Sequence, residues 1–159
     1  MVPSESLEGT PFFRALDERE RALLAPISDR RSYGAGETIF REGDPAGPLR
    51  ILAKGLVSFR QQQRGGEGDT SVGTVSAEGE LFGISALLGA GERYFYTAVC
   101  LEPCDVIELD GEKLVQLCEE HPQAGIRIMR RLTQVLAGRL HAAREQLRSR
   151  VRPGLISHG

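Results

Sequence analysis

Between Arg30 and Asp110 the chain breaks into short β-rich runs separated by glycines and other turn formers. The runs are TIF (38–40), RILA (50–53), LVSFRQ (56–61), SVGTVS (71–76), YFYTAV (94–99) and DVIEL (105–109). Short runs at this spacing, rich in β-branched and aromatic residues, predict an all-β sandwich or barrel. Gly43-Asp44, Gly55 and the Gly65-Gly66 pair lie where the chain must reverse, and glycine adopts the positive φ of such turns at little steric cost.

Helical patterning flanks this region. In LDERERALL, Asp17 stands three residues ahead of Glu20, a capping-box spacing that predicts a short helix over 17–25, closed by Pro26. Beyond the β region Asp110 is an N-cap candidate, Leu114 and Leu117 share one helix face, and His121-Pro122 interrupts; Pro122 suits the first turn of a second helix. The predicted C-terminal helices occupy 111–150. Met129, Leu132, Leu136, Leu140, Ala143, Leu147 and Val151 recur every three or four residues, a stripe that outlasts what a helix needs to cover one small core. Gly138 weakens that helix locally. Helix-to-helix homodimerisation is the natural use of the stripe; a helix packed lengthwise on its own β domain is the alternative.

At 159 residues, 40% of them hydrophobic, the chain suits one core, placed here in residues 1–152 with 153–159 as a tail. A net charge of -2 argues against a general nucleic-acid coat. Basic character is local: Arg127, Arg130, Arg131, Arg139, Arg144, Arg148, Arg150 and Arg152 face only Glu145 between residues 127 and 152. A solvated helix face explains this run better than a nucleic-acid footprint, because no recognition helix follows it. Without a charged leader or a long apolar run, no membrane span is expected, and the odd set Cys100, Cys104 and Cys118 suits a reducing cytoplasm. Cys100 and Cys104 straddle a turn containing Pro103 and read as buried strand thiols, not metal ligands. Asp44 and Asp110 are explained by turn and cap geometry, no nucleophile–base pair stands out, and enzymatic activity is not expected.

One stretch suggests a binding site. In LFGISALLGAGER, Leu81 to Arg93, a glycine permits close backbone approach to a ligand, a short helix starting near Ser85 offers unpaired N–H groups, and Arg93 completes an anion cradle. Together with YGAGETIFREGDPAGPLRILAKGLVSF (33–59) and CDVIELD (104–110), it resembles the cyclic nucleotide-binding domain of the catabolite activator and fumarate-nitrate regulator superfamily. The likeness runs from Phe12 to Arg148, with Gly36, Gly43 and Gly55 in matching order. It implies a mainly β fold with flanking helices: a β-roll over 30–109 (a double-stranded β-helix of the cupin-like jelly-roll kind) plus a long C-terminal dimerisation helix. The family's helix-turn-helix domain is not found in this chain, so DNA contact is expected only through a missing domain or a partner.

The resemblance also assigns effector-binding positions. Phe82, Gly83, Ala86, Leu87 and Leu88 match the family's phosphate-binding cassette, with Ser85 inside it. The family's glutamate, which accepts the ribose 2′-hydroxyl, falls on Ile84. Its phosphate-pairing arginine falls on Arg93 or on Tyr94, its following serine or threonine on Tyr94 or Phe95, and its base-contacting pair on Ala143 and Arg144. A lost buried partner costs about 1–3 kcal/mol, so a standard cyclic nucleotide is disfavoured and a different small-molecule effector is expected, in a pocket made more apolar by Ile84, Tyr94 and Phe95. The effector's identity stays open, and the alternatives are a ligand-free protein-interaction or dimerisation module on the same fold, or retained weak cyclic nucleotide binding. Some relatives hold haem against the long helix, but His141, next to stripe residue Leu140, reads as a half-exposed interface histidine, so haem is not expected.

Overall fold

The computed structural model describes residues 1–63, 65 and 68–156, the last six of these as helical backbone only. Gly66 of the anticipated Gly65-Gly66 turn lies outside the described residues, whereas Gly65 has the expected positive φ of 100°. Among the described residues, eight strands form two antiparallel four-stranded sheets: β1 (Ser28–Tyr33), β8 (Cys104–Asp110), β3 (Pro48–Lys54) and β6 (Leu81–Phe82) in that order, and β2 (Thr38–Phe40), β7 (Thr97–Cys100), β4 (Leu56–Gln62) and β5 (Asp69–Ser76). This is the expected β-roll. The interior is filled by Phe40, Leu52, Val57, Phe59, Phe82, Ala98 and Val106 among others.

A second core lies on the outer face of the first sheet. Side chains alternate along a strand, so Leu49 and Ile51 of β3 and Ile107 and Leu109 of β8 face outward, onto the helices. These are α1 (Ser4–Leu7), α2 (Pro11–Arg14), α3 (Glu18–Leu24), α4 (Gly111–Glu120) and α5 (Pro122–Ile156). The caps follow the sequence. Asp17 and Glu20 form a reciprocal capping box on α3, and the Asp110 carboxylate accepts from the Lys113 N–H at the start of α4. Two glycines permit close approach of elements: a Cβ on Gly111 would lie 2.3 Å from the Ala86 carbonyl oxygen, and one on Gly125 2.7 Å from the Cys118 carbonyl oxygen.

Several expectations change. YFYTAV is a strand only from Thr97, because the Tyr94 backbone bonds instead to the loop after β2, its N–H donating to Asp44 O and its carbonyl accepting from Gly43 N–H. The helix predicted to stop at residue 150 continues to Ile156, so the tail begins later than residue 153. The apolar stripe divides along its length. Leu132 is 3% exposed and, with the partly buried Met129 and Leu136, packs on the chain's own helix-side core, which removes Leu132 from any surface offered to a second chain. Ala143 is exposed, as are Leu140 at 54% and Leu147 at 63%; the side chain of Val151 lies outside the described residues.

Candidate functional site

Strand β6 runs into Gly83, whose φ of 77° belongs to the left-handed region and starts a 3-10 turn over Ile84–Leu87. Glycine is required here, because a Cβ would also lie 3.4 Å from both the Pro48 carbonyl oxygen and the Tyr94 ring. The Gly83 N–H points into the roll and donates to the Tyr96 hydroxyl at 3.1 Å. The expected short helix is therefore present, but this N–H already has a partner inside the chain. Ser85 is buried, while Ile84, Ala86 and Leu87 pack against the helix-side core. Ile84 does not line the roll interior as anticipated; its apolar side chain belongs to the other layer.

Of the two candidate positions, only Tyr94 turns its side chain inward. Arg93 is exposed and donates to the Gly43 carbonyl at 2.7 Å, so it does not form the anticipated anion cradle with the cassette turn. Tyr94 is 5% exposed and stacks on Phe40 with ring centroids 3.8 Å apart. Its hydroxyl donates to Pro48 O at 3.0 Å and accepts from the Gly47 N–H and from Arg50 Nη1, both at 2.9 Å. Phe95 points outward, 49% exposed, and Tyr96 points inward against Phe59 with centroids 4.3 Å apart. The apolar lining assigned to Phe95 thus belongs to Tyr96, one residue along.

Arg50 was not among the sequence candidates. It stands between Leu49 and Ile51, which face the helices, so strand alternation sends its side chain into the roll. There its Nε donates to Glu108 Oε2 at 2.9 Å, and its guanidinium lies 5.1 Å from the centroid of the Phe40 ring. An arginine in the middle of the apolar run LRIL is the signal that identifies it. The cassette interior is therefore occupied by Phe40, Tyr94, Tyr96 and a paired guanidinium.

Helix α5 closes the other side. Its cleft-facing residues are Arg131, Gln134, Val135, Gly138, Arg139 and Ala142, and the opposite wall comes from β5 and the turn before β6; the cleft between them has a volume of about 590 Å³. Ala143 and Arg144, assigned to the effector by resemblance, lie beyond this row and are exposed. The basic face is only partly a solvated one. Arg127 pairs with Asp17 at 3.1 Å, and Arg131 reaches Glu80 at 3.5 Å while donating to the Phe12 and Pro11 carbonyls. Among the described residues no group of three or more His, Cys, Asp or Glu side chains is placed to hold a metal ion, and His141 is exposed.

Glu80 is 2% exposed with φ at 57°, and burial pushes its carboxyl up to about 7 against the opposing influence of Arg131. The folded state then holds a proton that the unfolded chain releases near 4.5. Stability contributed by protonated Glu80 is complete below pH 4.5 and lost as pH rises through 7, an effect on the order of 3 kcal/mol. Glu80→Gln is expected to flatten this fall. Urea unfolding of both proteins at pH 5 and pH 8 checks it; parallel losses would show that Glu80 is not the titrating group.

A family model for the cyclic nucleotide-binding domain matches residues 30–121. The chain belongs to that family. It is 32% identical over 137 residues to the cyclic AMP receptor protein of Thermus thermophilus, covering 86% of this chain and 60% of that protein. It is 34% identical over 129 residues to glutaminase 2 of Bradyrhizobium diazoefficiens, covering 80% of this chain and 19% of that enzyme. This domain thus occurs in relatives named as a receptor protein and as an enzyme, and the chain spans at most three fifths of either. A cyclic nucleotide-binding domain from Methylobacillus flagellatus superposes with a TM-score of 0.79 at 18% identity, over 92% of this chain and 85% of that one, a likeness of fold. Among the described residues no helix is long and apolar enough to cross a membrane.

Proposed function

We propose that this domain is a regulatory module that senses an effector other than a standard cyclic nucleotide and signals by moving α5 within a homodimer. The observation that carries the reading is the closed cassette: the Gly83 N–H is bonded to Tyr96, and the buried Tyr94 ring, one of the two positions on which the resemblance lets the arginine fall, fills the space beside it. A cyclic phosphate entering here would have to break the Tyr96 bond and displace a ring stacked at 3.8 Å. It would meet no carboxylate at Ile84 to accept its ribose hydroxyl. Each missing polar partner costs about 1–3 kcal/mol, enough together to weaken binding by several powers of ten.

Ligand sensing requires that an effector bind two α5 positions unequally, and the contacts of Arg131 with Glu80 and of Arg139 with the Gly79 and Leu81 carbonyls lie on the seam between α5 and the roll. The test is a thermal-shift titration with cyclic AMP and cyclic GMP up to 1 mM. No change in melting temperature is expected; a saturable rise with either nucleotide would overturn the closed-cassette reading, since a ligand at 100 times its dissociation constant adds about 2.7 kcal/mol. The exposed half of α5 favours a second reading, a ligand-free dimerisation module, which predicts that no small molecule shifts the transition.

A further inference from the structure

The arginines of α5 that face the body of the domain are not equivalent. Arg127 lies beside Asp17 and Glu20, and Arg131 lies 3.5 Å from Glu80, whose carboxyl becomes its counter-charge as pH rises through 7. Arg139, eight residues beyond Arg131 on the same face, is half-buried at the α5 cleft, and no carboxylate of the described residues forms an ion pair with it. Its Nη2 donates to Gly79 O at 2.6 Å and to Leu81 O. Carbonyl dipoles accept from the Nη2 N–H groups but do not neutralise the charge, and a guanidinium removed from water without an anion is costly. Burial accordingly lowers the affinity of Arg139 for its proton.

The surroundings have room for the missing anion. The cleft of about 590 Å³ opens beside Arg139, and Gly138 contributes no side chain to it. Thr74 and Ser76 bring hydroxyls to the facing wall, and Glu78 and Glu80 are the only carboxyl groups among the described lining residues, Glu80 facing Arg131 and Glu78 exposed. A guanidinium offers parallel N–H donors that match a carboxylate or phosphate in a two-point contact. Both of its present acceptors, Gly79 and Leu81, lie in the segment that delivers β6 to Gly83. An anion that drew Arg139 away would remove one contact between that segment and α5.

Resting on the reading of an effector-responsive domain, we propose that the cleft between α5 and the roll binds a small oxyanion-bearing metabolite, carboxylate or phosphate, with Arg139 as its anchor. The cassette's own interior is not used. The test titrates the full chain with succinate and, separately, with inorganic phosphate, each up to 20 mM against sodium chloride of equal ionic strength, and follows the melting temperature. A saturable rise is expected with at least one of the two, and which one identifies the anion source. Arg139→Gln should weaken that binding at least tenfold, whereas Arg30→Gln, whose arginine is exposed on β1 away from the cleft, should bind as the natural chain does. If Arg139→Gln lowers the ligand-free transition too far, Arg139→Lys, which keeps the charge and loses the fork, should show a smaller loss than tenfold. An identical response in Arg139→Gln, or no saturable response to either anion, would overturn the proposal. A cyclic AMP response that survives Arg139→Gln would instead overturn the closed-cassette reading, so the two failures are distinguishable.

Discussion

Gly111→Ala is expected to lower the melting temperature by roughly 10 °C, because overpacking against rigid backbone costs about 3 kcal/mol and each kcal/mol moves a domain of this size by about 2–4 °C. The new Cβ would lie 2.3 Å from Ala86 O and 2.9 Å from Ala86 C, both main-chain atoms that no rotamer change can move. The damage falls between the first turn of α4 and the cassette turn, so a cassette loosened from the helix layer should exchange its Ser85 and Leu88 amides faster. Gly138→Ala is the internal control. That glycine sits in the middle of α5 with nothing within 4 Å of a built Cβ, and a helix-interior glycine is destabilising by roughly 0.5–1 kcal/mol relative to alanine. The two substitutions should therefore move the transition in opposite directions. A Gly111→Ala protein melting within 2 °C of the natural one would show that α4 and the cassette are not in the tight contact described.

The same pair of glycines shows what a linear chain discloses. The weak spot at Gly138 is a local property, and helix propensity is enough to find it. The requirement for Gly111 arises from an approach between residues 86 and 111 that only the assembled fold creates. The legible features were of the first kind: the Asp17–Glu20 capping box, the Asp110 cap, the glycine turns and the strand runs RILA, LVSFRQ and DVIEL. Strand β6 and helices α1 and α2 were missed because two to four residues carry no period long enough to register.

At the site, the cassette's outline was legible from its glycine and leucines, and its contents were not. Whether Arg93 or Tyr94 turns inward depends on how the loop is tied to Gly43 and Asp44, and those are backbone bonds with no trace in residue type. Arg50 was discoverable, since an arginine between Leu49 and Ile51 must face opposite to both. Arg139 was visible only as one member of a basic run. Its difference from Arg131 lies in the placement of Glu80, which is distant from both in sequence.

Leu140→Glu combined with Leu147→Glu is expected to halve the mass measured by light scattering while leaving the domain's own melting nearly unchanged. The two leucines are seven residues apart on α5, on one face, and are exposed at 54% and 63%. Seven residues is the repeat at which two helices keep a shared seam. Ala142 is the last residue of α5 to line the cleft and residues 143–150 are exposed, so this stretch extends without support from its own domain; a helical segment this short is marginal alone in water. A second copy of the same helix laid along the leucines would supply the missing surface. Leu136 distinguishes this association from packing within the chain, because it touches the helix-side core; Leu136→Glu should lower the melting temperature by several degrees, whereas the outer pair should not. An unchanged mass for the double variant, or a natural chain that is already monomeric at micromolar concentration, would leave the outer leucines without this role and remove dimer formation from the signalling scheme.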